Sequence, residues 1–211
     1  MELVLPESES VEERLRSMAL SSTILRNAVV AGEAARADCT LLDPVCAAGF
    51  EAWRLTTRTL REQLLPRWRA VNEKNLPLVV EPVLGIAIAV AAGDTATGLE
   101  EMQPTTKYPK GPVTERYIRV NRRQMPLFGE EEPMFVPTPT DAERYTWILL
   151  VYSTPRVVRC EVSLPAEIDE DGYIVKWQER LILEPIILDE AAPVDEEPDG
   201  GDDIDVPVSR R

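Results

Sequence analysis

Gly93-Asp94-Thr95-Ala96-Thr97-Gly98 is the segment whose residue types come nearest to phosphate chemistry. Glycines and hydroxyls at the end of an apolar run can present backbone amides to an anion, with Asp94 free for a metal ion. The segment lacks the Gly-Lys-Ser/Thr ending of a P-loop and opens no helical pattern, so an ordinary turn is the simpler expectation. Downstream, Lys107, Lys110, Arg116, Arg119, Arg122 and Arg123 stand against one acid, Glu115, with Tyr108 and Tyr117 interleaved. Bases mixed with aromatics contact phosphates and stack on nucleobases. The same residues also serve as a solvated strand edge that discourages aggregation, which is the reading the pattern favours. The candidate ligand-binding set is therefore Gly93, Asp94, Thr95, Thr97, Gly98, Lys107, Lys110, Arg119 and Arg123. No catalytic residue, metal ligand or cofactor is assigned.

Other chemistry is narrowed by what the chain lacks. It contains no histidine, so Ser-His-Asp and Cys-His catalysis and His-containing zinc sites are excluded. The residues two before Lys74, Lys107, Lys110 and Lys176 are Asn72, Thr105, Tyr108 and Ile174, so a nuclease site with a lysine two residues after a carboxylate is missing. Glu161 with Asp169 or Asp171 could pair for acid–base work, but scattered surface acids explain them more simply. Trp53, Trp68, Trp147 and Trp177 fall at inward-facing periodic positions and read as core rather than as ligand-stacking surfaces. Cys39, Cys46 and Cys160 cannot close a disulfide set. Free, buried thiols in a reducing compartment are expected, with a Cys39–Cys46 bridge as the alternative in an oxidising one.

The charge is unevenly spread. Of the net −14, residues 189–211 carry nine acids against Arg210 and Arg211, and residues 1–13 carry five glutamates and no base. The body between them is nearly neutral, so a total made mostly at the ends says little about partners. The acidic start has no signal-peptide pattern, and the longest apolar run, Leu84 to Ala92, is far short of a membrane span. A cytoplasmic protein is expected. Arginine outnumbers lysine nineteen to four, which reads as the coding bias of a bacterium.

These residues need elements to hold them. Ser10 and Glu13 have capping-box spacing ahead of Val11, Leu15 and Met18 on one helical face. A second helix follows from about Ser22 with Ile24, Ala28, Ala31 and Ala35 aligned, and Gly32 signals close approach to another element. A third is predicted to start at Asp43-Pro44, with Phe50, Trp53, Thr57, Leu60, Leu64 and Trp68 as its apolar stripe and Pro66 ending it. From about Asn75 the pattern becomes extended. Ile86, Ile88 and Val90 alternate with Gly85, Ala87, Ala89 and Ala91, giving a central strand with one bulky and one smooth face. Residues 115–124 read as a strand with Ile118 and Val120 inward and Asn121 outward, and residues 125–141 as an irregular excursion. The run 145–152 is a strand. In the next, Val158, Cys160, Val162 and Leu164 point inward while Arg159, Glu161 and Ser163 point outward. Asp171-Gly172 then turns into a strand with Tyr173, Val175 and Trp177 on one face.

The fold class expected is α+β, with N-terminal helices on a mostly antiparallel sheet. Residues 1–9 read as a flexible acidic terminus, 10–188 as one domain (helical over about 10–72, β-rich over about 76–188), and 189–211 as a disordered acidic tail. The function expected is a non-enzymatic binding or regulatory protein, an accessory or inhibitor-like component whose acidic tail engages a protein partner. The alternative is a nucleotide- or nucleic-acid-binding or processing protein using the Gly93–Gly98 turn and the basic 107–123 segment.

Overall fold

The computed structural model describes residues 3–5, 9–123 and 144–188. The expected acidic tail at 189–211 and the excursion at 125–141 lie outside the described residues. Three helices come first after a short strand: β1 (Leu3–Leu5), then α1 (Glu9–Ser17), α2 (Ser22–Ala37) and α3 (Ala47–Leu64). A hairpin follows, β2 (Arg69–Glu73) with β3 (Leu76–Glu81), then β4 (Ile86–Ala92), α4 (Pro112–Arg123) and β5 (Tyr145–Ser153). The chain closes on β6 (Val157–Ile168), β7 (Ile174–Ile182) and β8 (Ile186–Ile187). The sheet runs β1-β7-β6-β5-β4-β3-β2, with β8 also on β6. Only β1–β7 and β4–β5 pair in parallel; the other described ladders are antiparallel. The fold is α+β, with its helices ahead of most of its strands.

Helical periodicity places α1 correctly: Val11, Leu15 and Met18 are all fully buried, each contributing about 1.5–3 kcal/mol of apolar burial. Ser21 caps α2 by accepting a hydrogen bond from the Ile24 amide. The buried face of α2 runs one residue off the expected one, through Leu25, Ala28, Val29 and Gly32. Gly32 does meet a neighbour, since a Cβ there would stand 2.0 Å from Thr56 Oγ1 and 2.6 Å from the Ala52 carbonyl oxygen. In α3 the expected cap at Asp43 is displaced. Asp43 Oδ2 accepts from Thr40 instead, and the helix begins at Ala47. Its inner face is Ala52, Thr56, Thr57, Leu60 and Leu64, leaving Phe50 54% exposed.

Four other expectations need correction. Residues 69–73 are strand, not helix, so the sheet begins earlier than Asn75. Residues 3–5, expected to be flexible, form β1 along β7. The segment 115–124 is helix α4, not a strand: Thr114, Tyr117, Ile118 and Asn121 are its buried side, a helical and not an alternating set. The α4 crossover is also why β4 and β5 run parallel. Finally, the thiols differ in surroundings, with Cys160 buried, Cys39 half-buried and Cys46 exposed, all three unbridged.

The two faces of β4 decide the layering. Ile86 and Ile88, with Val90 against them, join Leu60, Leu64, Trp68 and the α1–α2 residues in the largest apolar cluster. The smooth face, Ala87 and Ala89, packs on Tyr117, and Ala91 packs with Ile118. Helices α1–α3 therefore cover one side of the sheet and α4 the other. Both faces being covered, the alternate residues of β6 are not solvent-facing: Glu161 and Ser163 are fully buried, as are the inward-predicted Val158, Cys160 and Val162. Among the described residues no helix is long and apolar enough to cross a membrane.

Candidate binding cavity

The predicted phosphate turn is built into the fold. The Gly93 amide donates to the Val151 carbonyl (2.9 Å), Asp94 to the Thr105 carbonyl (3.1 Å) and Thr97 to the Asp94 carbonyl (3.1 Å). The Ala96 amide donates to Asp94 Oδ1, and Thr105 Oγ1 donates to Asp94 Oδ2. The Gly98 amide donates to Glu161 Oε2 (3.1 Å). Five of the six amides of residues 93–98 are thus engaged internally, and the Asp94 carboxylate closes its own loop. Each glycine has a structural reason. A Cβ on Gly93 would stand 2.1 Å from Thr97 Oγ1, while Gly98 adopts φ +70° with Arg159 Cβ 2.9 Å from where its own would be. Thr95 offers its carbonyl to Arg159.

Beneath this loop lies an ion pair the strand pattern concealed. Arg180 (1% exposed) donates from Nη2 to Glu161 Oε2 (2.6 Å) and from Nε to Oε1 (3.1 Å). Its remaining donors reach the Leu99 carbonyl (3.0 Å) and the Met102 carbonyl (2.6 Å). Ser163 Oγ donates to Glu161 Oε1. Glu161 is therefore no surface acid. Every group of the pair is matched, so it functions as a clamp holding loop 93–106 on the sheet.

The basic residues separate. Lys107 is exposed with its ammonium over the Tyr108 ring. Arg119 is exposed on α4 and paired with Glu115. Arg123 is the last residue of α4. Lys110 alone of the predicted set lines a cavity, of about 180 Å³, between α4 and the smooth face of β4. None of residues 93–98 lines it.

The cavity follows from two strand prolines and two alanines. Pro77 has no N–H, and the β3–β4 ladder stops short of it at Val79–Ile88. Beyond that point the Val90 carbonyl accepts from Trp53 Nε1 (3.2 Å), which brings the indole to the cavity wall. Trp53 is thus the one of the four tryptophans that lines a cavity, whereas Trp68, Trp147 and Trp177 are core. On the far side Pro165 disturbs the register of β6, and the fully buried Asn121 takes the place of a strand neighbour. Its amide donates to the carbonyls of Thr146 (3.0 Å) and Pro165 (3.3 Å), and its carbonyl oxygen accepts from the Thr146 amide (3.0 Å). Ala89 and Ala91 leave the space between empty, and Tyr117, Ile118 and Ile148 wall it.

Two polar groups in this apolar lining are unbalanced. Lys110 forms no ion pair with any described residue, and burial holds its ammonium below the usual lysine range. Thr146, 3% exposed, has a buried Oγ1 with no hydrogen-bond partner, a deficit of about 1–3 kcal/mol. Sequence reasoning found Lys110 but not Thr114, Thr146 or Trp53, whose convergence depends on distant elements. The legible signal was a proline inside each of two strand patterns. Among the described residues no group of three or more Cys, Asp or Glu side chains is placed to hold a metal ion. No family model matches this chain, and neither does any curated protein or solved structure.

Proposed function

We propose that the chain is a non-enzymatic binding protein that holds a small, largely apolar molecule in the cavity between α4, β4 and β5, and that this occupancy regulates an interaction elsewhere. The single observation that carries the reading is the cavity itself: apolar walls with a few convergent polar groups, one of them a lysine, are the composition of ligand sites. Its inner wall belongs to α4, whose opposite side exposes Arg116, Arg119 and Arg122. A ligand packed on Thr114, Tyr117 and Ile118 therefore acts on the helix that carries those arginines. The bacterial cytoplasmic setting and an engagement of the acidic 189–211 segment with a protein partner belong to the same proposal.

The test is thermal unfolding of the full chain with a neutral aromatic such as benzyl alcohol. A ligand at 100 times its Kd stabilises by about 2.7 kcal/mol, or roughly 5–10 °C for a chain of this size. Ala89→Leu and, independently, Ala91→Val fill the cavity and should remove the shift while leaving the protein folded. A shift that persists in both folded variants would refute the assignment.

A second reading rests on the arginine face of α4, where residues 116, 119 and 122 share one side: nucleic-acid binding. It predicts salt-dependent binding of an oligonucleotide, weakened in Arg116→Glu/Arg122→Glu. Anisotropy unchanged on adding wild-type protein at low salt would remove it.

A further inference from the structure

We propose that the ligand of this cavity is a small apolar monocarboxylic acid, its carboxylate held by the Lys110 ammonium and the Thr146 hydroxyl and its apolar body laid on Ala89, Ala91 and Ile148. The inference rests on the reading of the cavity as a binding site and goes further by naming the chemistry that fills it.

Three observations converge. Lys110 is the one charged residue among the described residues that line the cavity, and no described carboxylate neutralises it. Thr146 has its backbone amide and carbonyl both bound by Asn121, so the residue is fixed, yet its Oγ1 has no partner. A hydroxyl so placed can donate to an anionic oxygen, and the ammonium of a lysine lining the same cavity can supply the charge-assisted bond. The remaining walls are mostly apolar, with Asn75 and Thr114 as neutral polar members, which disfavours a polyanion. One base balances one negative charge, and a phosphate dianion would bring a second charge into a lining that holds no second base to match it. Size agrees: an apolar cavity of ~150 Å³ is enough to hold benzene, and this one is about 180 Å³.

The experiment uses the full chain and three probes of similar shape, benzoate, benzyl alcohol and phenyl phosphate, each titrated calorimetrically at neutral pH. Benzoate is expected to bind at least about tenfold more tightly than benzyl alcohol, the difference a charge-assisted bond supplies. Lys110→Met should abolish that preference while still binding benzyl alcohol, which shows the variant folded and the cavity intact. Thr146→Val, nearly isosteric, should weaken benzoate several-fold and leave the alcohol unchanged. Equal binding of benzoate and benzyl alcohol, with Lys110→Met indifferent, would overturn the carboxylate assignment and leave the binding-protein reading standing. Phenyl phosphate binding more tightly than benzoate would overturn it as well. Failure of all three probes to bind the wild type would defeat both.

Discussion

Removing Arg180 is the perturbation whose consequence the structure specifies most fully. Arg180→Met keeps most of the side-chain volume but leaves the fully buried Glu161 carboxylate facing Ser163 Oγ and the Gly98 amide alone, and it orphans the carbonyls of Leu99 and Met102. Breaking a buried pair by removing one partner costs about 3–5 kcal/mol, because the surviving charge stays desolvated. Glu161→Leu should cost a similar amount for the mirror reason. The double variant Glu161→Leu/Arg180→Met no longer buries a charge; it loses only the bonds to three backbone groups and to Ser163 Oγ, at about 1 kcal/mol each. Its cost should therefore fall short of the sum of the single costs by about 2 kcal/mol or more, a coupling typical of residues in one network. Urea unfolding of the four proteins measures this directly, with fluorescence of the buried tryptophans as the signal. Single costs below about 0.5 kcal/mol, or strict additivity, would refute the clamp. Full-length loss of 3–5 kcal/mol is large against a total stability of about 5–15 kcal/mol, so loop 93–106 should also become protease-sensitive in the single variants.

Other outcomes follow from the same geometry. Asn121→Ala deletes three hydrogen bonds that stand in for a strand ladder and should destabilise by about 2–4 kcal/mol in denaturant. Gly32→Ala drives a methyl into the Ala52 carbonyl, which is backbone and cannot rotate away, and should cost about 1–3 kcal/mol by the same measurement. For Lys110, the folded pKa lies below its unfolded value of about 10.4. Its relative contribution is therefore most favourable above the unfolded pKa and is lost as pH falls through the folded one. Lys110→Met should accordingly be more stable than wild type near neutral pH, with the gap closing toward pH 10. A gap that widens with pH would contradict the burial of that ammonium.

What could be read in advance depended on how many faces an element buries. Helix α1 buries one stripe, and Val11, Leu15 and Met18 declared it. The alternation in β4 was equally plain, and its smooth face is where α4 packs. The arginine-rich segment 112–123 misled because Ile118 and Val120 also fit a period of two. The deciding residues were Pro112 at the first helical position and the Glu115–Arg119 pair one turn apart. Glu161 and Ser163 were read as solvated because antiparallel sheets commonly keep one wet face. Here loop 93–106 covers that face, and no local pattern announces a buried ion pair completed by a residue nineteen positions away. The binding cavity was the least legible feature. Lys110 was identified by its charge, yet Thr146, Trp53 and Ala89 reach it from separate elements. Only Pro77 and Pro165 marked where the ladders would open.

The most direct test of the cavity is an indole N–H spectrum of the 15N-labelled chain titrated with benzyl alcohol, its signals assigned by Trp53→Phe. Trp53 Nε1 donates to Val90 at the cavity wall, while Trp68 is buried on the other face of the sheet and Trp177 packs behind the wall residues Ala91, Ile118 and Ile148. The Trp53 signal should shift saturably while that of Trp68, packed on the opposite face of the sheet, stays unmoved. A Trp53 signal that stays in place, or four signals that drift together without saturating, would contradict it.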